Sequence, residues 1–148
     1  MSIYIHKSHN VSVLLYHIVC PAKYRRVVFC DEADQILKEI CLDISQRYEI
    51  HFVEIGTDKD HVHFLVQSIP KYSPTKIVRT IKSITAREMF SRLPSVKKQL
   101  WGGEFWTDGY YINTVGKKGN EDVVRQYVKK QGKQEEYVKL HRAQLRLF

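Results

Sequence analysis

The hydrophobic pattern divides the chain into strand-like and helix-like segments. From Val11 to Cys20 the residues are almost continuously apolar and rich in Val, Leu and Ile, which predicts a buried strand. After Asp31, placed to cap a helix, Ile36, Leu37, Ile40, Cys41, Ile44 and Tyr48 recur at helical spacing, leaving the acidic face to solvent. Two strand-like runs follow, Ile50 to Gly56 and His61 to Ile69, and the turn composition Thr57-Asp58-Lys59-Asp60 between them predicts a hairpin. Ser73-Pro74 marks the next helix, with Ser as N-cap and Pro at the first helical position. Ile77, Ile81, Ile84 and Met89 form its apolar stripe, and Leu93-Pro94 ends it. Trp101-Gly102-Gly103 opens a loop into an aromatic strand, Phe105 to Val115. Gly119-Asn120 then precedes a helix that begins with Glu121 and Asp122, where acids suit the helix dipole, and stops at Gly132. The tail from Gln134 to Phe148 reads as helical, with Tyr137, Leu140 and Leu145 as docking residues.

The order β α β β α β, followed by a C-terminal helix, is the split β-α-β pattern of ferredoxin-like sheets. It implies an α+β fold in which four antiparallel strands are backed by two helices. A length of 148 residues predicts one domain, 1–148, and 43 % hydrophobic residues provide the core such a domain needs, which excludes disorder. Cys20, Cys30 and Cys41 form no C-x-x-C pair, so neither a disulfide framework nor a thiolate zinc site fits, and a reducing cytosol is expected. With no signal-like opening and no run of about 18 apolar residues, a soluble cytoplasmic protein without a membrane partner is expected.

Charge adds a polarity to this outline. The formal net charge is +8, but it is unevenly placed. Asp31 to Tyr48 holds five acids against two bases, whereas Lys71 to Gln99 holds eight bases against Glu88 alone. Within the second segment Lys76, Arg79, Lys82 and Arg87 project from the apolar stripe, and further basic runs contain Lys23, Arg25 and Arg26, and Arg125, Lys129 and Lys130. One such run is also what a solvated surface looks like; three together favour a polyanion such as nucleic acid.

The candidate chemistry lies on two elements. His61 and His63 alternate with Val62 in a strand, so they share one face about 7 Å apart and can hold one metal ion between them. Two satisfied surface histidines would show the same pattern. Tyr127 and Gln131, one helical turn apart, can present a phenol nucleophile and an amide ligand together, although Tyr127 would equally pack with Val123, Val124 and Val128.

These residues carry a family resemblance. His61-Val62-His63, with Thr57-Asp58-Lys59-Asp60 before it, resembles the metal strand of the single-tyrosine HUH transposases of insertion sequences that move as single-stranded DNA. Tyr16-His17 with Lys23-Tyr24-Arg25-Arg26 resembles the family's opening strand and basic turn. Leu100-Trp101-Gly102, Phe105-Trp106, Gly109-Tyr110 and Thr114-Val115-Gly116 resemble the stretch before its catalytic helix, and Tyr127 with Gln131 occupies the nucleophile and third-ligand places.

The resemblance implies a transposase of HUH endonuclease type that binds hairpin ends in single-stranded DNA. It implies that Tyr127 cuts a phosphodiester by transesterification through a 5′-phosphotyrosine link, with a divalent ion, Mg²⁺ or Mn²⁺, held by His61, His63 and Gln131. Imidazoles lean toward a transition metal and oxygen donors toward magnesium, so the choice stays open. It further implies a homodimer in which one subunit's tyrosine helix can complete the other's site, with Gly119 and Gly132 as either pivots or ordinary helix punctuation. No G-x-x-x-x-G-K-[ST] loop is present, and transesterification requires no nucleotide cofactor. Lys76, Arg79, Lys82 and Arg87, with Arg125, Lys129 and Lys130, are the expected DNA contacts. Tyr72, Trp101, Trp106 and Tyr110 are candidates for stacking on bases or for the core. Two other readings compete: a non-catalytic ferredoxin-like nucleic-acid-binding module, although no RRM signature is present, and a replication nickase or relaxase, which usually carries more histidines or a larger chain.

Overall fold

The computed structural model describes residues 5–7, 10–12, 14–101 and 103–115. The predicted tyrosine helix, with Arg125, Tyr127, Lys129, Lys130 and Gln131, and the tail after it lie outside the described residues. In chain order the elements are β1 (Ile5–Lys7), β2 (Asn10–Ser12), β3 (Leu14–Pro21), a 3₁₀ turn at Lys23–Arg25, α1 (Asp31–Arg47), β4 (His51–Thr57) and β5 (His61–Ser68). Then come α2 (Pro74–Arg92), α3 (Pro94–Gln99) and β6 (Tyr111–Val115).

The main sheet runs β4-β5-β3-β6 with every neighbour antiparallel, so the strand between α1's two flanking strands is contributed later in the chain, as in a ferredoxin-like α+β sheet. Tyr16, Ile18 and Cys20 of β3 pair with Val66, Phe64 and Val62 of β5 on one face. That face packs on Leu37, Ile40, Cys41 and Ile44 of α1 and Ile77, Ile81 and Met89 of α2 to form the core. Burial pushes the Cys20 thiol up to about 12 and the Cys41 thiol higher still, so both are packing residues and poor nucleophiles.

Several expected boundaries moved for identifiable reasons. The apolar run from Val11 is divided: Asn10–Ser12 pairs with Ile5–Lys7 in a separate two-stranded sheet, and the main-sheet strand begins at Leu14. Cys30 occupies the α1 cap without a side-chain bond, and Asp31 falls in the first turn, where Glu32 and Asp34 join it against the helix dipole. Ser73 does cap α2, its hydroxyl accepting from the Lys76 N–H at 3.0 Å. Pro94 both closes α2 and opens α3. Only Tyr111–Val115 of the aromatic stretch is strand; Trp106 keeps a single bridge to Ala22 because its indole turns toward α2 and donates to Thr85 Oγ1 at 2.9 Å. No helix among the described residues is long and apolar enough to cross a membrane.

Candidate active site

The second face of the sheet carries the histidines. His61, His63, Leu65 and Gln67 alternate with the core residues of β5, and the β3 register places Val19 opposite His63 and Leu65 opposite His17. His17 is therefore a diagonal neighbour of His63 on the same face. Their rings stack at 5.3 Å between centroids and 16°, and His17 Nε2 lies 3.0 Å from His63 Nδ1. The Tyr111 ring meets His17 edge-on at 6.1 Å. His17 and His63 are both buried, which removes the surface-histidine reading for His63. His61, at the mouth of the strand, is partly exposed, with its ring centroid 5.0 Å from that of His63.

Each ligand candidate is oriented through its Nδ1. His61 Nδ1 donates to the Asp60 carboxylate at 2.7 Å, and the same carboxylate accepts from Arg25 Nε at 3.0 Å and Nη2 at 3.4 Å. Burial works against the Asp60 charge, but the bond from His61 and the nearby Arg25 outweigh it and hold the carboxyl below its ordinary range. For His63, burial first and then His17 and His61 press the imidazole from 6.5 down to about 2, which keeps it neutral, the form that binds a metal. With both Nδ1 atoms engaged, Nε2 is the nitrogen each ring would offer to an ion, an arrangement typical of metal-binding histidines. The pair thus fits a divalent cation as a partial donor set. Among the described residues no group of three His, Cys, Asp or Glu could hold a metal, so the two histidines stand as a pair of donors and not a complete set.

The basic residues of α2 divide in two. Lys76, Arg79 and Arg87 are exposed, as a nucleic-acid contact requires. Lys82 is differently employed: its ammonium donates to the carbonyls of Thr107, Asp108 and Gly109 at 2.6, 3.3 and 3.4 Å, pinning the loop before β6. Between α2 and that loop runs a groove of about 480 Å³ floored by Val78, Phe90 and Trp106, with Arg79 and Arg87 along it. Of the aromatic candidates, Trp106 belongs to the core, Trp101 is 73 % exposed, and Tyr72 lies beneath the Lys76 ammonium. The sequence places Arg25 in a basic run, Asp60 in the hairpin turn and His17 in the opening strand, but does not show that they orient His61 and His63. Asp60 is the one with a local signal, a carboxylate directly preceding a candidate ligand.

The family model for IS200-like transposases matches residues 10–131. The chain is 32 % identical over 118 residues to the ISDra2 transposase TnpA of Deinococcus radiodurans, covering 80 % of this chain and 84 % of that protein. It is 30 % identical over 116 residues to the transposase of insertion sequence element IS200 from Salmonella typhimurium, covering 78 % and 75 % respectively. Among solved structures, a Deinococcus radiodurans R1 transposase superposes with a TM-score of 0.68 at 30 % identity over 86 % of this chain and 98 % of that one. A REP-associated tyrosine transposase bound to a REP hairpin shares the fold, with a TM-score of 0.58 at 10 % identity over 86 % of this chain and 70 % of that one.

Proposed function

The chain belongs to the IS200-like transposase family, and from its residues we propose that it cuts and rejoins single-stranded DNA at hairpin-bearing ends, with Tyr127 as nucleophile and His61, His63 and Gln131 as ligands of one divalent ion. The observation that carries this reading is the paired setting of His61 and His63: one strand face, both Nδ1 atoms engaged, in a chain whose family match extends through Tyr127 and Gln131.

The Tyr127 phenolate oxygen attacks the scissile phosphorus, and the bond to the 3′ oxygen breaks. The phenol's proton goes to solvent or to the departing oxygen, leaving a 5′-phosphotyrosine and a 3′-hydroxyl. Attack of a 3′-hydroxyl on that link restores a phosphodiester and frees the tyrosine, so the bond energy is retained and no nucleotide is hydrolysed. When bound, Mg²⁺ or Mn²⁺ supplies positive charge against the phosphate oxygens. His61 and His63 contribute imidazoles held in orientation by Asp60 and His17. The exposed Lys76, Arg79 and Arg87, with Arg125, Lys129 and Lys130, hold the DNA backbone. Two protomers act together, and the tyrosine helix of one can complete the site of the other.

The test is a covalent adduct. A hairpin-bearing single strand with the protein and Mn²⁺ gives a denaturation-resistant protein–DNA species, absent with Tyr127→Phe. His61→Ala abolishes it while leaving hairpin affinity nearly unchanged. An adduct that persists in Tyr127→Phe defeats the nucleophile assignment, and a wild-type chain that binds hairpins without ever forming one is a binding module.

A further inference from the structure

The basic turn after β3 carries a surface that the proposed chemistry leaves unused. Tyr24 and Trp101 are 60 % and 73 % exposed, with ring centroids 5.8 Å apart and planes inclined by 49°. The Arg26 guanidinium lies 4.8 Å from the Trp101 centroid, and the Lys23 ammonium lies 5.5 Å from that of Tyr24. Arg26 has no carboxylate partner among the described residues, whereas Lys23 is paired with Glu104 and Arg25 with Asp60.

The backbone here adopts an unusual conformation. Among the described residues the non-glycine positions with positive φ are Tyr24 at 59°, Arg25 at 52° and Trp101 at 56°, all in this patch. Glycine enters that region freely and bulky side chains resist it, so large aromatics are present where packing gives no reason for them. The turn is nevertheless held firmly. Lys23 N–H donates to the Phe105 carbonyl at 2.8 Å, Arg25 N–H to that of Ala22 at 2.9 Å, and Gln99 Nε2 to that of Val27 at 2.7 Å. Two exposed rings and an uncompensated cation are thus presented on a rigid turn.

The patch is also connected to the histidines. Arg25, between Tyr24 and Arg26, reaches Asp60, and Asp60 orients His61. We propose that Tyr24 and Trp101 form a stacking platform for unpaired bases of single-stranded DNA flanking the scissile phosphate, with Arg26 against the adjoining backbone. Stacking accepts any base face, and guanidinium joins both ring and phosphate contacts, so the chemistry selects an unpaired strand over a duplex, whose bases are already stacked. This rests on the reading that the chain acts on single-stranded DNA, but it adds a site joined to His61 through Arg25 and Asp60, distinct from α2.

Tryptophan fluorescence tests it, because Trp106 is buried and Trp101 is the exposed one of the two tryptophans. Titrating the full chain with a hairpin-free oligonucleotide of about eight nucleotides quenches the emission of the wild type and leaves that of Trp101→Gly unchanged. The glycine variant loses about tenfold or more in affinity for that oligonucleotide, the effect of one lost stacking contact, while its melting temperature does not fall, since glycine suits the local φ. Tyr24→Gly lowers the affinity in the same direction. Wild-type affinity in Trp101→Gly, or unquenched Trp101 at saturation, overturns the platform; so does a change of oligomeric state in that variant with unaltered oligonucleotide binding, which would make the patch a contact between copies. An adduct formed without quenching defeats the platform alone, whereas quenching without any adduct defeats the cleavage reading alone.

Discussion

A histidine becomes a useful metal ligand when its second nitrogen is held, because that bond fixes both tautomer and ring orientation. His17 does this for His63. If His63 offers Nε2, its Nδ1 carries the proton and donates to His17 Nε2 across 3.0 Å. His17→Ala is therefore expected to weaken Mn²⁺ binding by roughly 10- to 100-fold, and His17→Gln, whose amide oxygen can accept the same proton, to recover most of the loss. Electron paramagnetic resonance of free Mn²⁺ reads this without DNA, and equal binding by all three chains would leave His17 a packing residue. Titration supplies a second expectation. The imidazole of His63 is pressed from 6.5 to about 2 by burial and by its two histidine neighbours, so between those values the unfolded chain binds a proton that the folded chain does not. Stability then falls as pH drops below 6.5, by up to about 1.4 kcal/mol per pH unit from this group, and gains nothing from it above 6.5. Urea unfolding of the metal-free protein at about pH 7.5 and about pH 5.5 measures the slope, which His63→Gln is expected to flatten. His61 and His63 were legible in the sequence as an alternating pair. His17 as their partner was not, because its role depends on the β3–β5 register, which brings residues 46 apart in sequence together.

Elements were legible where turn chemistry and periodicity agreed. Ser73-Pro74 set the start of α2, and the polar turn at Thr57–Asp60 set the β4–β5 hairpin, within a residue of the observed bounds. They were not legible where a tertiary bond redirected the chain. β4 shifts register between Phe52 and Glu54, so Phe52 and Ile55 both pair with core positions of β5 although they are three residues apart, which simple alternation does not predict. Residues 105–110 have strand-like composition but leave the sheet, because Trp106 is anchored to Thr85 and the loop beyond it to Lys82. The Thr85 hydroxyl also donates to the Ile81 carbonyl at 2.6 Å, so it relays the buried indole to the α2 backbone. Thr85→Val keeps the shape and removes the acceptor. It is expected to destabilise the fold by about 1 to 3 kcal/mol, the cost of an unpaired buried donor, with indole hydrogen exchange at Trp106 accelerated in parallel. A loss near zero would mean that the indole finds another acceptor and that Thr85 does not hold the segment.

At the scale of the molecule, the net charge of +8 overstates what α2 offers to DNA. Arg92 is turned toward α1 and α2 themselves: its guanidinium lies 3.3 Å from Asp43, 3.3 Å from Glu88 and 3.9 Å from Glu39. Part of the acidic face expected to meet only solvent is thus joined to the end of the basic helix. Lys82 likewise neutralises carbonyl dipoles within the chain. The exposed Lys76, Arg79 and Arg87 remain for phosphate, and the two arginines line the groove beside Trp106. Salt dependence separates the two groups, since each cation that displaces counterions from DNA contributes about one unit to the slope of log affinity against log salt. Arg87→Ala is expected to lower the slope for hairpin binding by about one and to leave the melting temperature unchanged. Arg92→Ala and Lys82→Met are expected to do the reverse, lowering the melting temperature and keeping the slope. Should Lys82→Met shift the slope as Arg87→Ala does, its ammonium must leave the carbonyls of residues 107–109 when DNA binds, and the loop before β6 would then be held by DNA-free protein alone.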